Sequence, residues 1–86
     1  MTFRVFWTPF AEGRFDEILA IANDRAVLAE AAREIDRRFI VAPKKVGESR
    51  DGDMRVGFVD PLGVQFEVMQ DVKTVIVHDV WRTDRK

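Results

Sequence analysis

The apolar residues of this chain change their spacing twice, and the order of those changes constrains the fold more than any other feature. Phe3, Val5 and Trp7 alternate with Arg4, Phe6 and Thr8. That period of two predicts a strand over residues 2–8. From Ala11 the spacing becomes helical. Ala11, Phe15, Ile18, Leu19 and Ala22 recur at i, i+4, i+7, i+8 and i+11 and form one stripe. A second stripe, Leu28, Ala31, Ala32, Ile35 and Phe39, predicts a helix from about residue 25 to 39. Beyond residue 53 the period of two returns three times, at Met54-Val56-Phe58, at Val64-Phe66-Val68 and over residues 74–82. The expected fold is therefore α+β in the order β-α-α-β-β-β. An antiparallel sheet should carry a helical hairpin packed on one face. Trp7, Phe15, Leu19, Leu28, Ile35, Phe58, Phe66 and Val77 should share its core.

The punctuation between these segments agrees. Thr8-Pro9 suits a helix start, because Thr caps and a proline at the first helical position gives up no needed N–H. Asn23-Asp24 interrupts the helical pattern and recaps it. Glu30 with Arg33 and Glu34 with Arg38 stand at helical ion-pair spacing. Pro43 closes the second helix. Residues 43–53 are polar and turn-rich and read as a loop. Asp60-Pro61-Leu62-Gly63 has the pattern of a type I turn. The last strand, residues 74–82, is apolar on both sides and should be central. Regular alternation puts Val75, Val77 and Trp81 on one side and Ile76, His78 and Val80 on the other.

Eighty-six residues make a single domain, 1–86. With no cysteine and one histidine, disulfides, thiolate nucleophiles and Cys- or His-rich metal sites fall away, and no metal or cofactor is expected. The net charge of −1 argues against a strongly polybasic nucleic-acid binder but not against a local basic patch. No apolar run approaches the roughly 18 residues of a membrane span, and the N-terminal segment reads as a strand rather than a leader. The expectation is a cytoplasmic protein.

The candidate chemistry is sparse. The glycines match neither a P-loop nor a GxGxxG pattern. Gly57, inside a strand, marks a bulge or a close backbone approach. His78 is either a general acid/base or a half-buried histidine bonded to a neighbour such as Glu67. The basic side chains fall in two groups. Lys44, Lys45 and Arg50 lie in the long loop with Arg55 behind them, and Arg82, Arg85 and Lys86 close the chain at the end of the last strand. Either group suits phosphate oxygens. Strand geometry places Arg55 roughly 15–20 Å from Arg82, so the two could line one anionic track but would not clamp one phosphate unless the strands are staggered; the alternative is a solvated surface whose field Glu48, Asp51 and Asp53 cancel.

Several segments together resemble the RelE/ParE toxin superfamily, which includes plasmid stabilisation proteins. These are Trp7-Thr8-Pro9 with Ala11-Glu12 and Phe15-Asp16-Glu17-Ile18; Ala32-Arg33-Glu34-Ile35-Asp36; Arg55-Val56-Gly57-Phe58-Val59; Gly63-Val64-Gln65-Phe66-Glu67-Val68; and Val75-Ile76-Val77-His78-Asp79-Val80-Trp81-Arg82. The resemblance covers nearly the whole chain, and the element order is that family's. It implies the toxin of a bacterial type II toxin–antitoxin pair, with an antitoxin protein as partner. One branch of the family cuts mRNA at the ribosome without a metal, and another inhibits DNA gyrase. In the first, the resemblance puts catalysis on Arg82, Arg55 and His78, and RNA binding on Lys44, Lys45, Arg50, Gln65 and Arg85. A family arginine of the third strand falls on Gln65, and there is no tyrosine. A gyrase inhibitor without catalytic residues, or a non-toxic interaction module, are the alternatives.

Overall fold

The computed structural model describes residues 2–84, apart from the side chains of residues 48–51. The elements are β1 (Arg4–Trp7), α1 (Pro9–Ala20), α2 (Arg25–Val41), a 3-10 turn (Pro43–Lys45), β2 (Glu48–Asp51), β3 (Met54–Val59), β4 (Leu62–Met69), a second 3-10 turn (Gln70–Val72) and β5 (Thr74–Arg82). The strands form one sheet in the order β1-β5-β4-β3-β2. The helices pack on one face of that sheet. The expected α+β class, the helical hairpin and the central place of the last strand all stand.

Two features of the expected sheet need correction. Residues 43–53 are not a plain loop, because Glu48–Asp51 pairs antiparallel with β3. The turn that makes this hairpin is Asp51-Gly52-Asp53, with Gly52 at φ +60°, a conformation that favours glycine. The second correction stems from the first. Each short connection reverses the chain, so one extra strand adds one reversal. β5 therefore runs parallel to β1, through Arg4↔Thr74 to Trp7↔Val77, and the sheet is mixed. The remaining pairs are antiparallel. The Asp60–Pro61 bond is cis, which a type I turn does not contain.

The core is one cluster. Leu28, Ile35 and Phe39 of α2 meet Leu62, Val64 and Phe66 of β4 and Val75, Val77 and Val80 of β5, all fully buried. Phe39 and Phe66 have ring centroids 4.3 Å apart. Trp7, Phe15 and Leu19 pack against this cluster half-buried. The Trp7 ring meets Phe15 edge-on at 5.8 Å, and its Nε1–H donates to Asp36 Oδ1 at 2.9 Å. Phe58 does not join the core and is 56% exposed. Its neighbours Gly57 and Val59 occupy the inward positions of β3, so Phe58 faces the other way. Gly57 marks a close approach rather than a bulge, since a Cβ there would stand 2.8 Å from Val46 Cγ1.

Thr8 caps α1 as expected, its Oγ1 accepting from Ala11 N–H at 3.0 Å. Asp24 precedes α2 but makes no side-chain cap; its carboxylate is turned to Arg82 instead. The outer face of α2 carries an ion-pair network. Glu30 receives Arg33 and Arg37, and Glu34 receives Arg37 and Arg38. Hydrogen bonds from Arg37 hold both carboxyls below the ordinary glutamate value of 4.5, with Arg33 adding to Glu30 and Arg38 to Glu34. A depressed folded-state pKa contributes stability that is present above 4.5 and lost as pH falls through the folded values. Urea midpoints should therefore drop between pH 6 and pH 3, and the drop should shrink in the E30Q/E34Q variant. An equal drop in that variant would remove the network from the account of acid stability.

Candidate functional site

The face of the sheet away from the helices is open, and strand register decides what it shows. Phe66 and Val68 of β4 are buried under the helices, so Gly63, Gln65, Glu67 and Met69 point to the open side. Their partners there are Phe58, Val56 and Met54 on β3 and Thr74 and Ile76 on β5. Parallel pairing adds Arg4 and Phe6 from β1.

A register shift in β5 resets which side its last residues face. Gln65 pairs with Asp79 but Phe66 pairs with Val77, which leaves His78 as an extra residue. Alternation restarts beyond it. Val80 is fully buried with Val75 and Val77, so the expected sides of Val80 and Trp81 are exchanged. Trp81 lies on the open face over Gly63, where a Cβ would stand 2.4 Å from the indole. Gly63, expected as a turn residue, is thus a strand residue that seats an aromatic ring. Phe58 meets Trp81 edge-on at 6.4 Å. His78 stays on the open face, its Nε2 3.0 Å from Glu67 Oε1, the neighbour expected from the sequence.

The cations expected to act together do not meet on this face. Arg55 pairs with Phe66 and Arg82 with Leu62, both core positions, so these two side chains start from the helix side. Four residues of β4 and two strand spacings separate their backbones by about 16 Å. Arg55 serves the fold locally: its Nη2 donates to the carbonyls of Lys44 at 3.0 Å and Gly47 at 3.4 Å. Its Nε is buried without a partner among the described residues. Arg82 is held by two carboxylates. Nη1 and Nη2 donate to Asp24 at 2.9 and 2.6 Å, and Nε donates to Asp84 at 2.6 Å. The Asp84 and Asp24 bonds raise the Arg82 pKa further, and the Arg82 bonds in turn lower both aspartates.

Lys44 and Lys45 are exposed on the 3-10 turn at the far side of the sheet. Gln65 lies half-buried in the middle of the open face. The side chain of Arg50 and the whole of Arg85 lie outside the described residues. Among the described strand residues, Arg4 is the one cation whose register places it on the open face. No group of three potential metal ligands occurs among the described residues. Two features are hidden from the sequence: the aromatic pair Phe58–Trp81 and the carboxylates on Arg82. The first depends on a bulge, for which no local signal exists. The second depends, for Asp24, on a contact spanning 58 residues.

No family sequence profile and no curated protein sequence matches the chain. Solved structures do. The chain is similar to the toxin–antitoxin complex RelBE2 from Mycobacterium tuberculosis, with a TM-score of 0.72, 15% identity and coverage of 95% of this chain and 99% of that one. This is the RelE/ParE fold. A chromosomal ParDE system from P. aeruginosa gives a TM-score of 0.68 at 16% identity, over 96% and 98% of the two chains. An archaeal RelE–RelB complex from Pyrococcus horikoshii OT3 gives 0.60 at 14% identity, over the full length of both. The shared RelE/ParE architecture therefore spans the whole chain, while at these identities side-chain roles have to be argued from this molecule's own geometry. No described helix is long and apolar enough to cross a membrane.

Proposed function

We propose that this chain is the toxin-side component of a type II toxin–antitoxin pair, and that it acts by binding a protein target through the open sheet face. Support for the toxin-side part is the full-length likeness to three toxin–antitoxin structures. The antitoxin would be its standing partner. Support for binding rather than cleavage is a single observation. The candidate phosphate-holding groups Arg55 and Arg82 are engaged on the helix side, and the open face instead offers Phe6, Ile76, Phe58 and Trp81. Phe6 and Phe58 are more than half exposed. Exposed aromatic residues grouped on one face suit a protein contact. This favours the gyrase-inhibitor branch of the family.

A second reading, an mRNA endonuclease, is favoured by the His78–Glu67 pair on the same face. An imidazole oriented by a carboxylate 3.0 Å away has the geometry of a general base for a ribose 2′-hydroxyl. Trp81 would stack a neighbouring base, and Gln65 would lie along the RNA track, with Arg55 and Arg82 held on the other side of the sheet. Lys44 and Lys45, on the exposed 3-10 turn, would add long-range attraction.

One experiment separates these readings. The purified chain is added to a cell-free translation reaction with mRNA 5′ ends mapped by primer extension, and in parallel to a gyrase supercoiling assay. The expected result is intact message with loss of supercoiling. New ends at codon spacing that vanish in H78A would replace the binding reading with the endonuclease. Unchanged translation and unchanged supercoiling together would overturn the toxin-side reading and leave an interaction module.

A further inference from the structure

We infer that the groove between α1 and α2 over Trp7 is a docking surface for another protein, and that it takes an arginine side chain of that partner.

The groove follows from how the hairpin sits on the sheet. The stripe of α1 turns Phe15 and Leu19 toward the core. Glu12 and Asp16, one turn apart on α1, flank that stripe on the side of α2, where Ala32 and Asp36 stand one turn apart as well. These residues, with Trp7 and Phe15 beneath them, enclose a groove of about 490 Å³. Its floor is aromatic. Trp7 and Phe15 are both half-buried and meet edge-on at 5.8 Å. An aromatic floor that solvent still reaches is area a partner can cover.

The walls are acidic, and none of the lining residues is a cation. The glutamates of α2 are matched differently. Glu30 and Glu34 hold Arg33, Arg37 and Arg38, so the cations nearest Asp36 in sequence are turned away from it. Asp36 receives the Trp7 indole N–H at 2.9 Å, a neutral donor that leaves its charge unbalanced. Glu12 and Asp16 have no side-chain hydrogen bond or ion pair among the described residues. They repel each other at i, i+4. The helix dipole accounts for Glu12, in the first turn of α1, but not for Asp16 or Asp36.

The spacing of the carboxylates selects the cation. No three potential metal ligands converge among the described residues, so the acids do not share a point charge. They stand around a flat apolar floor. A guanidinium suits that arrangement, because its fork of N–H donors reaches separated oxygens while its plane lies on an aromatic ring. A lysine offers a point charge and no plane. The groove is larger than one side chain and leaves room for the flanking backbone of a peptide. It lies on the helix side of the sheet, so its occupant does not compete for the open face. The inference holds whichever target that face serves.

The test titrates the full chain with blocked alanine peptides carrying one central arginine, lysine or citrulline, and follows the Trp7 Nε1–H resonance. Citrulline keeps the shape of arginine and removes the charge. The arginine peptide should move the resonance and bind about tenfold more tightly than either of the others. The E12Q/D16N variant should lose about that factor. E17Q/D71N, which neutralises two exposed acids that do not line the groove, should change little. Equal binding of the citrulline peptide would overturn the cation site, and equal binding of the lysine peptide would overturn its preference for arginine. Equal losses in the two double variants would replace the groove with bulk charge. An unmoved Trp7 resonance would place the peptide elsewhere and sink the proposal. A resonance that moves when the chain alone is concentrated would make a second copy the occupant and overturn the assignment to another protein. Because the readout is binding, a chain without toxicity that shows the arginine preference would refute the toxin reading and leave this one intact.

Discussion

Replacing Phe39 by alanine should remove about 3–5 kcal/mol of stability, the usual cost of deleting a buried aromatic ring. Phe39 is fully buried and its ring lies 4.3 Å from that of Phe66, centroid to centroid. It is the point where the last turns of α2 meet the middle of β4. Roughly 0.05–0.15 kcal/mol per residue gives a domain of this size about 4–13 kcal/mol in total. The substitution therefore removes a large share of it, and the variant should be partly unfolded at 37 °C if the total lies near the lower figure. Urea denaturation read by the two tryptophans measures the loss. A midpoint within experimental error of wild type would mean that α2 is not held to β4 by this pair. Phe39→Leu, which retains most of the apolar area, should recover much of the difference.

Gly47→Ala should cost more than about 2 kcal/mol, for two reasons that add. Gly47 has φ +70°, where an alanine Cβ costs roughly 1–2 kcal/mol by itself. An added Cβ would also stand 2.1 Å from the carbonyl oxygen of Val56, which is backbone and has little room to yield. The Gly47 and Lys44 carbonyls are the two acceptors of Arg55, so moving this segment also strips a half-buried guanidinium of its partners. The damage should stay local. Amide exchange should rise in β2 and β3 while the β4–β5 ladder keeps its protection. Exchange rising evenly over all five strands would show instead that the Gly47 segment is part of the global folding unit. If Gly47→Ala folds with unchanged protection throughout, the tight approach of residue 47 to β3 is not essential.

Local chemistry is readable wherever it depends on neighbours in sequence. Thr8 and Pro9 announce α1 because capping needs only the next turn, and the stripe from Leu28 to Phe39 announces the buried face of α2. The His78–Glu67 contact is readable too, because both residues fall on strands whose pairing is set by short turns. The hidden features share one cause: they are set by pairing, not by residue type. The strand at residues 48–51 is polar, and only its partner β3 makes it a strand. The core position expected for Phe58 fails because Gly57 and Val59 take the inward side. Asp24 has the composition of a helix cap, but an arginine 58 residues away draws its carboxylate from the free N–H groups of α2. The expected track of cations along the sheet fails for the same reason, since Arg55 and Arg82 each find acceptors in the fold.

The extra residue at His78 has a consequence for comparing chains of this shape. Were β5 regular, Trp81 would turn to the helices and Arg82 to the open face. The same letters in the same order would then offer a visitor a cation instead of an indole. Which of the two this sheet presents is settled by parity, by whether an odd or an even number of residues is threaded between Val77 and the end of the strand. Relatives of this fold that align residue for residue with the last strand could therefore display opposite surfaces, and a ladder count would separate them where an alignment would not.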